Sequence, residues 1–161
     1  MKFFEDIRVG DRNEFGSHTF AAEEIKSFAR KYDPQLFHVD EEEAAKSHFG
    51  ALCASGFHTA CMWMKLATAY RKQEEQEQQQ AGTPIPRHGP SPGYRDLKWP
   101  RPVYVGNTIS FAGEVVEARA IRTRPNWGIV SSMSTGTNQN GDLVISFIGS
   151  IFVERRAPLT A

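Results

Sequence analysis

Residues from Phe57 to about Lys72 read as a helix that is apolar on nearly all sides, with Phe57, Ala60, Met62, Trp63, Leu66 and Ala67 leaving no polar face. A helix of that kind has to be enclosed by other structure. The C-terminal third of the chain supplies the enclosure. From Val103 onward the period changes: Thr108 to Ala120 alternates, Trp127 to Thr137 is a second strand candidate and Leu143 to Val153 a third. Asn140-Gly141 is a strong hairpin signal, and Arg124-Pro125-Asn126 makes the preceding turn. The chain is therefore α+β, with a long central helix and an antiparallel meander able to wrap it. That combination suggests a single hotdog fold over 1–161. The longest apolar run, Ala51 to Tyr70, contains His58 and Lys65, and fits a buried helix better than a membrane span.

The elements ahead of this helix are shorter. Arg12 to Phe20 alternates loosely, as a strand would. Ala22 to Tyr32 places Ile25, Phe28, Ala29 and Tyr32 at helical spacing. That helix lacks a good N-cap, with Ala21 and Ala22 at the cap positions and Thr19 the nearest candidate. Pro34 disfavours helix at Asp33 and ends the element. Asp40 is a good N-cap for the next helix, with Glu43 at the capping-box spacing and Glu41 and Glu42 suited to the positive end of the dipole. That helix stops near His48. Ser55 is a plausible N-cap for the long helix. Gln73 to Gln80 reads as a solvated helix end or a tail to it, and 83–102, rich in Pro and Gly, as a long loop.

A formal net charge of zero leaves no nucleic-acid or acidic-membrane footprint. The N-terminus lacks the apolar core of a signal peptide. Cys53 and Cys61 have no C-x-x-C spacing and read as buried, reduced thiols of a cytoplasmic protein. His18, His48, His58 and His88 share no ligand spacing, so no metal site is expected. Arg95, Lys98 and Arg101 are candidates for a phosphate contact, although solvated surface is the plainer reading.

The chemistry-bearing segment is Tyr32-Asp33-Pro34-Gln35-Leu36-Phe37-His38-Val39-Asp40, with Ser55-Gly56 after it at the helix start. Asp33 and His38 can form an acid/base pair, and the N–H of Gly56 can hold a developing oxyanion. On spacing alone Asp33 is equally a turn residue, His38 a loop histidine and Gly56 a helix entry.

Asp33-x-x-x-x-His38-x-Asp40, with Gly56 at the family's distance from the His, resembles the MaoC-like (R)-specific enoyl-CoA hydratase/dehydratase family, whose motif runs roughly G-D-x-N-P-x-H-x-D and then H-G or S-G. Trp99 to Thr108 is similar to the family's P-V-x-x-G-D-T segment, with Asn107 for Asp. The resemblance implies the hotdog fold and a hydro-lyase acting on an acyl thioester of CoA or acyl carrier protein, with no other cofactor. It implies Asp33, His38 and Gly56 as catalytic residues. Tyr32, Gln35, Leu36 and Ser55 depart from the commonest pattern, and Gln35 and Ser55 are expected to shape the substrate pocket. Hotdog proteins generally dimerise, so a homodimer or larger even assembly is expected, its sheet edge covered by a second copy.

Two competing readings are a hotdog thioesterase and a non-catalytic acyl-binding module. Against the first, no Asp or Glu lies between Phe49 and Gln73, where many such thioesterases keep a carboxylate.

Overall fold

One strand precedes the helices and four come after them. The order is β1 (Arg12–Thr19), α1 (Ala22–Tyr32), α2 (Leu36–Val39), α3 (Glu41–Lys46), α4 (Gly56–Gln80), β2 (Gly93–Lys98), β3 (Thr108–Ala120), β4 (Trp127–Thr137) and β5 (Leu143–Glu154). This computed structural model describes residues 1–159; residues 160 and 161 of the span assigned above lie outside the described residues. The strands form one antiparallel sheet in the order β1-β3-β4-β5-β2. The sheet and α4 together make the hotdog architecture expected from the sequence pattern. Among the described residues, no helix is long and apolar enough to cross a membrane.

Local chemistry explains most of the boundaries. The side chain of Asp40 accepts from the backbone N–H groups of Glu42 and Glu43, so the expected cap is made. Ser55 caps α4 by accepting from the N–H of Phe57. At α1 the cap residue is Ala21, with no side-chain bond. The turn after β4 closes as expected, with Gly141 at φ +83 and its N–H bonded to the Asn138 carbonyl.

The core lies between the sheet and the first half of α4. Phe20, Ile25, Leu52, Val103, Ile109, Phe111, Val144, Ile145 and Phe147 are buried there, with Phe15, Phe37, Trp63 and Leu66 packed against them. Truncating a fully buried residue such as Phe111 to Ala would cost about 3–5 kcal/mol.

Three expectations need correction. The 83–102 stretch is not all loop, because β2 pairs with β5 inside it. Every residue of β2 is exposed, so no alternation marked it as a strand. Second, the long helix ends at Gln80 rather than near Lys72, so of the two readings of the Glu/Gln-rich segment the solvated helix end is the one found, with Gln73 and Glu77 bonded side chain to side chain at 2.8 Å. Third, α4 is not enclosed on all sides by its own chain. Phe57 and Met64 are exposed, and so is Cys61 on the same face; only Cys53 is the buried thiol expected of both. The structure also adds an element that no sequence pattern marked, the single helical turn α2 between Pro34 and Asp40.

Candidate active site

Asp33 sits at the C-cap of α1, released from the helix by Pro34. His38 lies in the neighbouring α2 turn. Ser55 and Gly56 open α4. Three separate elements thus converge, and two sets of contacts hold them in place.

The first set aligns the segment leading into α4. The N–H of Ala54 donates to the Val103 carbonyl at 2.8 Å, and Cys53 bridges Tyr104. Asn107 accepts from the N–H of Tyr104 at 3.0 Å, and the Tyr104 hydroxyl donates to the Phe49 carbonyl at 2.9 Å. The second motif noted in the sequence therefore braces the strand-like run from Leu52 to Ala54. The second set fixes α1 against α4. His58, fully buried, stacks on Phe28 at 4.4 Å with its Nε2 3.7 Å from Glu24, whose other oxygen lies 2.8 Å from His18 on β1.

At the centre, Asp33 Oδ2 and His38 Nε2 are 3.6 Å apart. His38 Nδ1 lies 2.7 Å from the carbonyl of Cys53. A carbonyl only accepts, so Nδ1 carries the proton and Nε2 of the neutral ring is an acceptor. The ionised Asp33 carboxylate is also an acceptor. Two acceptors at 3.6 Å form no bond with each other. A water molecule, with two O–H donors, can satisfy both.

The Asp33 carboxyl is pulled in two directions. Burial pushes its pKa up, but hydrogen bonding with Ser55 and Gln35, and the charge of His38 whenever that ring is protonated, outweigh burial and hold it below the ordinary carboxylate range. Gln35 donates from Nε2 to Asp33 Oδ1 at 2.8 Å. Ser55 is buried, its hydroxyl accepts from the Phe57 N–H, and it lies close enough to Asp33 to favour the ionised carboxylate. Gln35 and Ser55, expected to shape the pocket, thus both orient Asp33. Cys53 contributes its carbonyl rather than its thiol, which burial pushes up to about 11.

Gly56 is the first residue of α4, so its N–H has no intrahelical acceptor. The ring of Trp99 lies directly against it: a Cβ at position 56 would fall 2.7 Å from the indole. The indole N–H donates to the Gly56 carbonyl at 2.9 Å. Trp99 is legible in the sequence only as part of a motif, and its contact with Gly56, like that of the Cys53 carbonyl with His38, is a site feature that sequence reasoning missed. Of the basic residues considered for phosphate, Arg95 pairs with Glu117 at 3.8 Å and Arg101 with Asp142 at 3.2 Å. These exposed pairs fit the plainer surface reading.

A family model described as "MaoC like domain" matches residues 8–136. The solved MaoC-like dehydratase from Rhodospirillum rubrum is 34% identical to this chain, with a TM-score of 0.80 over 98% of this chain and 99% of that one. The (R)-hydratase from A. caviae, described as involved in PHA biosynthesis, is 22% identical with a TM-score of 0.61 over 94% and 98%, a likeness of fold. Among curated proteins, the uncharacterized protein YdeM of Bacillus subtilis (strain 168) is 36% identical over 62 residues, which spans 38% of this chain and 44% of that relative.

Proposed function

The chain belongs to the MaoC-like dehydratase family, and on that premise we propose that it adds or removes water across the α,β double bond of an acyl thioester. The observation that carries this reading is the pair of acceptors, Asp33 Oδ2 and His38 Nε2, at 3.6 Å beside the start of α4.

In the hydration direction, the bridging water gives one O–H to each acceptor. A carboxylate held below its ordinary range is a poor proton acceptor, so Asp33 orients the water and His38 takes its proton. The water oxygen bonds to Cβ. The π electrons of the C=C bond move toward the thioester, and negative charge collects on its oxygen as an enolate. The N–H of Gly56, aided by the positive end of α4, stabilises that oxygen. Cα then takes the proton from His38 on the same face, and His38 returns to its neutral form. Each acid/base role contributes about 10²–10⁴-fold. Every group in this cycle comes from the chain, the thioester or the added water, with no other cofactor.

The thioesterase reading has less support. The carboxylates of α4 (Glu74, Glu75 and Glu77) sit near its C-terminal end, more than four helical turns from Gly56 by about 1.5 Å per residue. An acyl-binding module would keep the pocket without turnover. Incubation with crotonyl-CoA separates the three. The hydratase removes the enone absorbance, a thioesterase releases free thiol, and a binding module does neither.

A second copy of the chain is part of the proposal. The exposed face of α4 at Phe57, Cys61 and Met64 and the fully exposed edge strand β2 are surfaces that this chain leaves uncovered. A homodimer covers them. Free cysteines fit a cytoplasmic setting.

A further inference from the structure

His58 lies in the first turn of α4, next but one to Gly56, and is 1% exposed. Its ring stacks flat on Phe28 of α1 at 4.4 Å and makes a T-shaped contact with Phe20 at 5.0 Å. A phenylalanine would suit those neighbours equally well. The imidazole instead brings two nitrogens into an apolar setting, where Nδ1 has no hydrogen-bond partner. Burial disfavours the charged form and lowers its pKa. A neutral ring with an unpartnered nitrogen costs stability, so packing gives no reason for a histidine here.

The reason lies at Nε2. It faces Glu24 of α1, 3.7 Å from Oε1, and Oε2 of the same carboxylate is 2.8 Å from Nε2 of His18 on β1. A carboxylate only accepts, so each neutral ring turns an N–H toward Glu24. At 3.7 Å the His58 contact is longer than a hydrogen bond, and its attraction is that of the ring dipole for the charge. The burial of His58 keeps water from screening that attraction on the ring's side. Glu24 thus ties β1, α1 and α4 together. α1 ends at Asp33, and Phe28 packs at 5.0 Å on Tyr32, the residue before it. α4 begins at Gly56.

We infer that Glu24 and His58 are positioning residues: the chain His18–Glu24–His58 holds α1 against the first turn of α4, and so sets where Asp33 stands relative to the Gly56 N–H. The inference rests on the hydration reading above. Both residues act through Asp33 and Gly56 rather than on the thioester. The water at Asp33 and the enolate oxygen at Gly56 belong to one transition state, so the distance between their holders governs kcat more than substrate binding.

Two substitutions of His58 separate positioning from packing. His58→Phe keeps the stack on Phe28 and removes the N–H. It is expected to unfold at the wild-type temperature or higher, yet to lower kcat for enoyl-CoA hydration about tenfold or more with KM little changed. His58→Gln keeps an N–H near the place of Nε2 and loses the stack. It is expected to be less stable than wild type but to retain more of kcat than His58→Phe. A residue that only packs would leave kcat of both folded variants at the wild-type value. Glu24→Gln is expected to lower kcat as His58→Phe does, and the double variant to be no slower than Glu24→Gln, because both changes break one contact. Wild-type kcat in His58→Phe, equal kcat in the two His58 variants, or additive losses in the double variant would overturn the inference. A wild type that hydrates no enoyl thioester counts against the hydration reading instead. The amide resonance of Gly56 then decides positioning by itself, compared between wild type and Glu24→Gln, a change that alters no ring. It moves if the chain sets the start of α4, and an unmoved resonance overturns the inference.

Discussion

The indole of Trp99 fills the space that a Cβ on Gly56 would need, with the nearest ring atom 2.7 Å from that position, and its N–H holds the Gly56 carbonyl at 2.9 Å. The start of α4 is therefore shaped from outside the helix. Glycine at this position is required by the ring, not only by the helix entry.

This contact predicts a rescue. Gly56→Ala forces either the ring or the helix start to move, and displaces the N–H proposed to hold the enolate. Hydration should fall about tenfold or more. Adding Trp99→Ala removes the clash and should recover part of that loss. Rates of the two single variants and the double variant give the coupling directly; a fully active Gly56→Ala contradicts it.

The network around Asp33 predicts a shift in pH dependence. Ser55 and Gln35 hold the carboxyl below its ordinary range. Removing a donor with Ser55→Ala or Gln35→Ala lets its pKa rise. Asp33 then protonates at higher pH, and NMR titration of its carboxyl should show the midpoint move up. An unmoved midpoint in both variants would show that these donors do not tune the site.

His88 predicts a pH-dependent stability. Burial, with Arg71 nearby, lowers its pKa from 6.5 to about 4. Between those values the unfolded chain binds a proton that the folded chain refuses. The stability is fully present above pH 6.5 and is lost as pH falls toward about 4, by up to about 3 kcal/mol. Urea denaturation of wild type and His88→Gln across that window measures the difference; parallel curves for the two would contradict it.

The uncovered face of α4 predicts a dimer. Phe57 is 62% exposed and lies on one face with Cys61 and Met64. Light scattering should give twice the chain mass for wild type and a larger monomer fraction for Phe57→Glu. A clean wild-type monomer would rule out the proposed assembly.

Features set by near neighbours were legible in the sequence. The caps at Asp40 and Ser55, the stop at Pro34 and the hairpin at Asn140-Gly141 are each decided within a few residues. β3 and β4 fall at their expected bounds because alternation there reflects one buried face. The α2 turn carries no such signal, because four residues are too few to show a helical period. Nor does β2, because an exposed edge strand has no reason to alternate. The resemblance brought Asp33, His38 and Gly56 together. It could not show the Cys53 carbonyl at His38 Nδ1 or the Trp99 ring on Gly56, since both join segments distant in the chain. The apolar stripe of α4 reads as buried, yet part of it is exposed; burial by a second chain and burial within one chain look alike in sequence.

The most direct measurement is the rate of crotonyl-CoA hydration by wild type, Asp33→Asn and His38→Gln, with the fold of each checked by circular dichroism. Wild-type turnover, reduced about 10²-fold or more in each variant, is the result that a water held between Asp33 and His38 requires. Either variant retaining full activity would contradict the account, as would a folded wild type that hydrates neither crotonyl-CoA nor any longer or branched enoyl thioester.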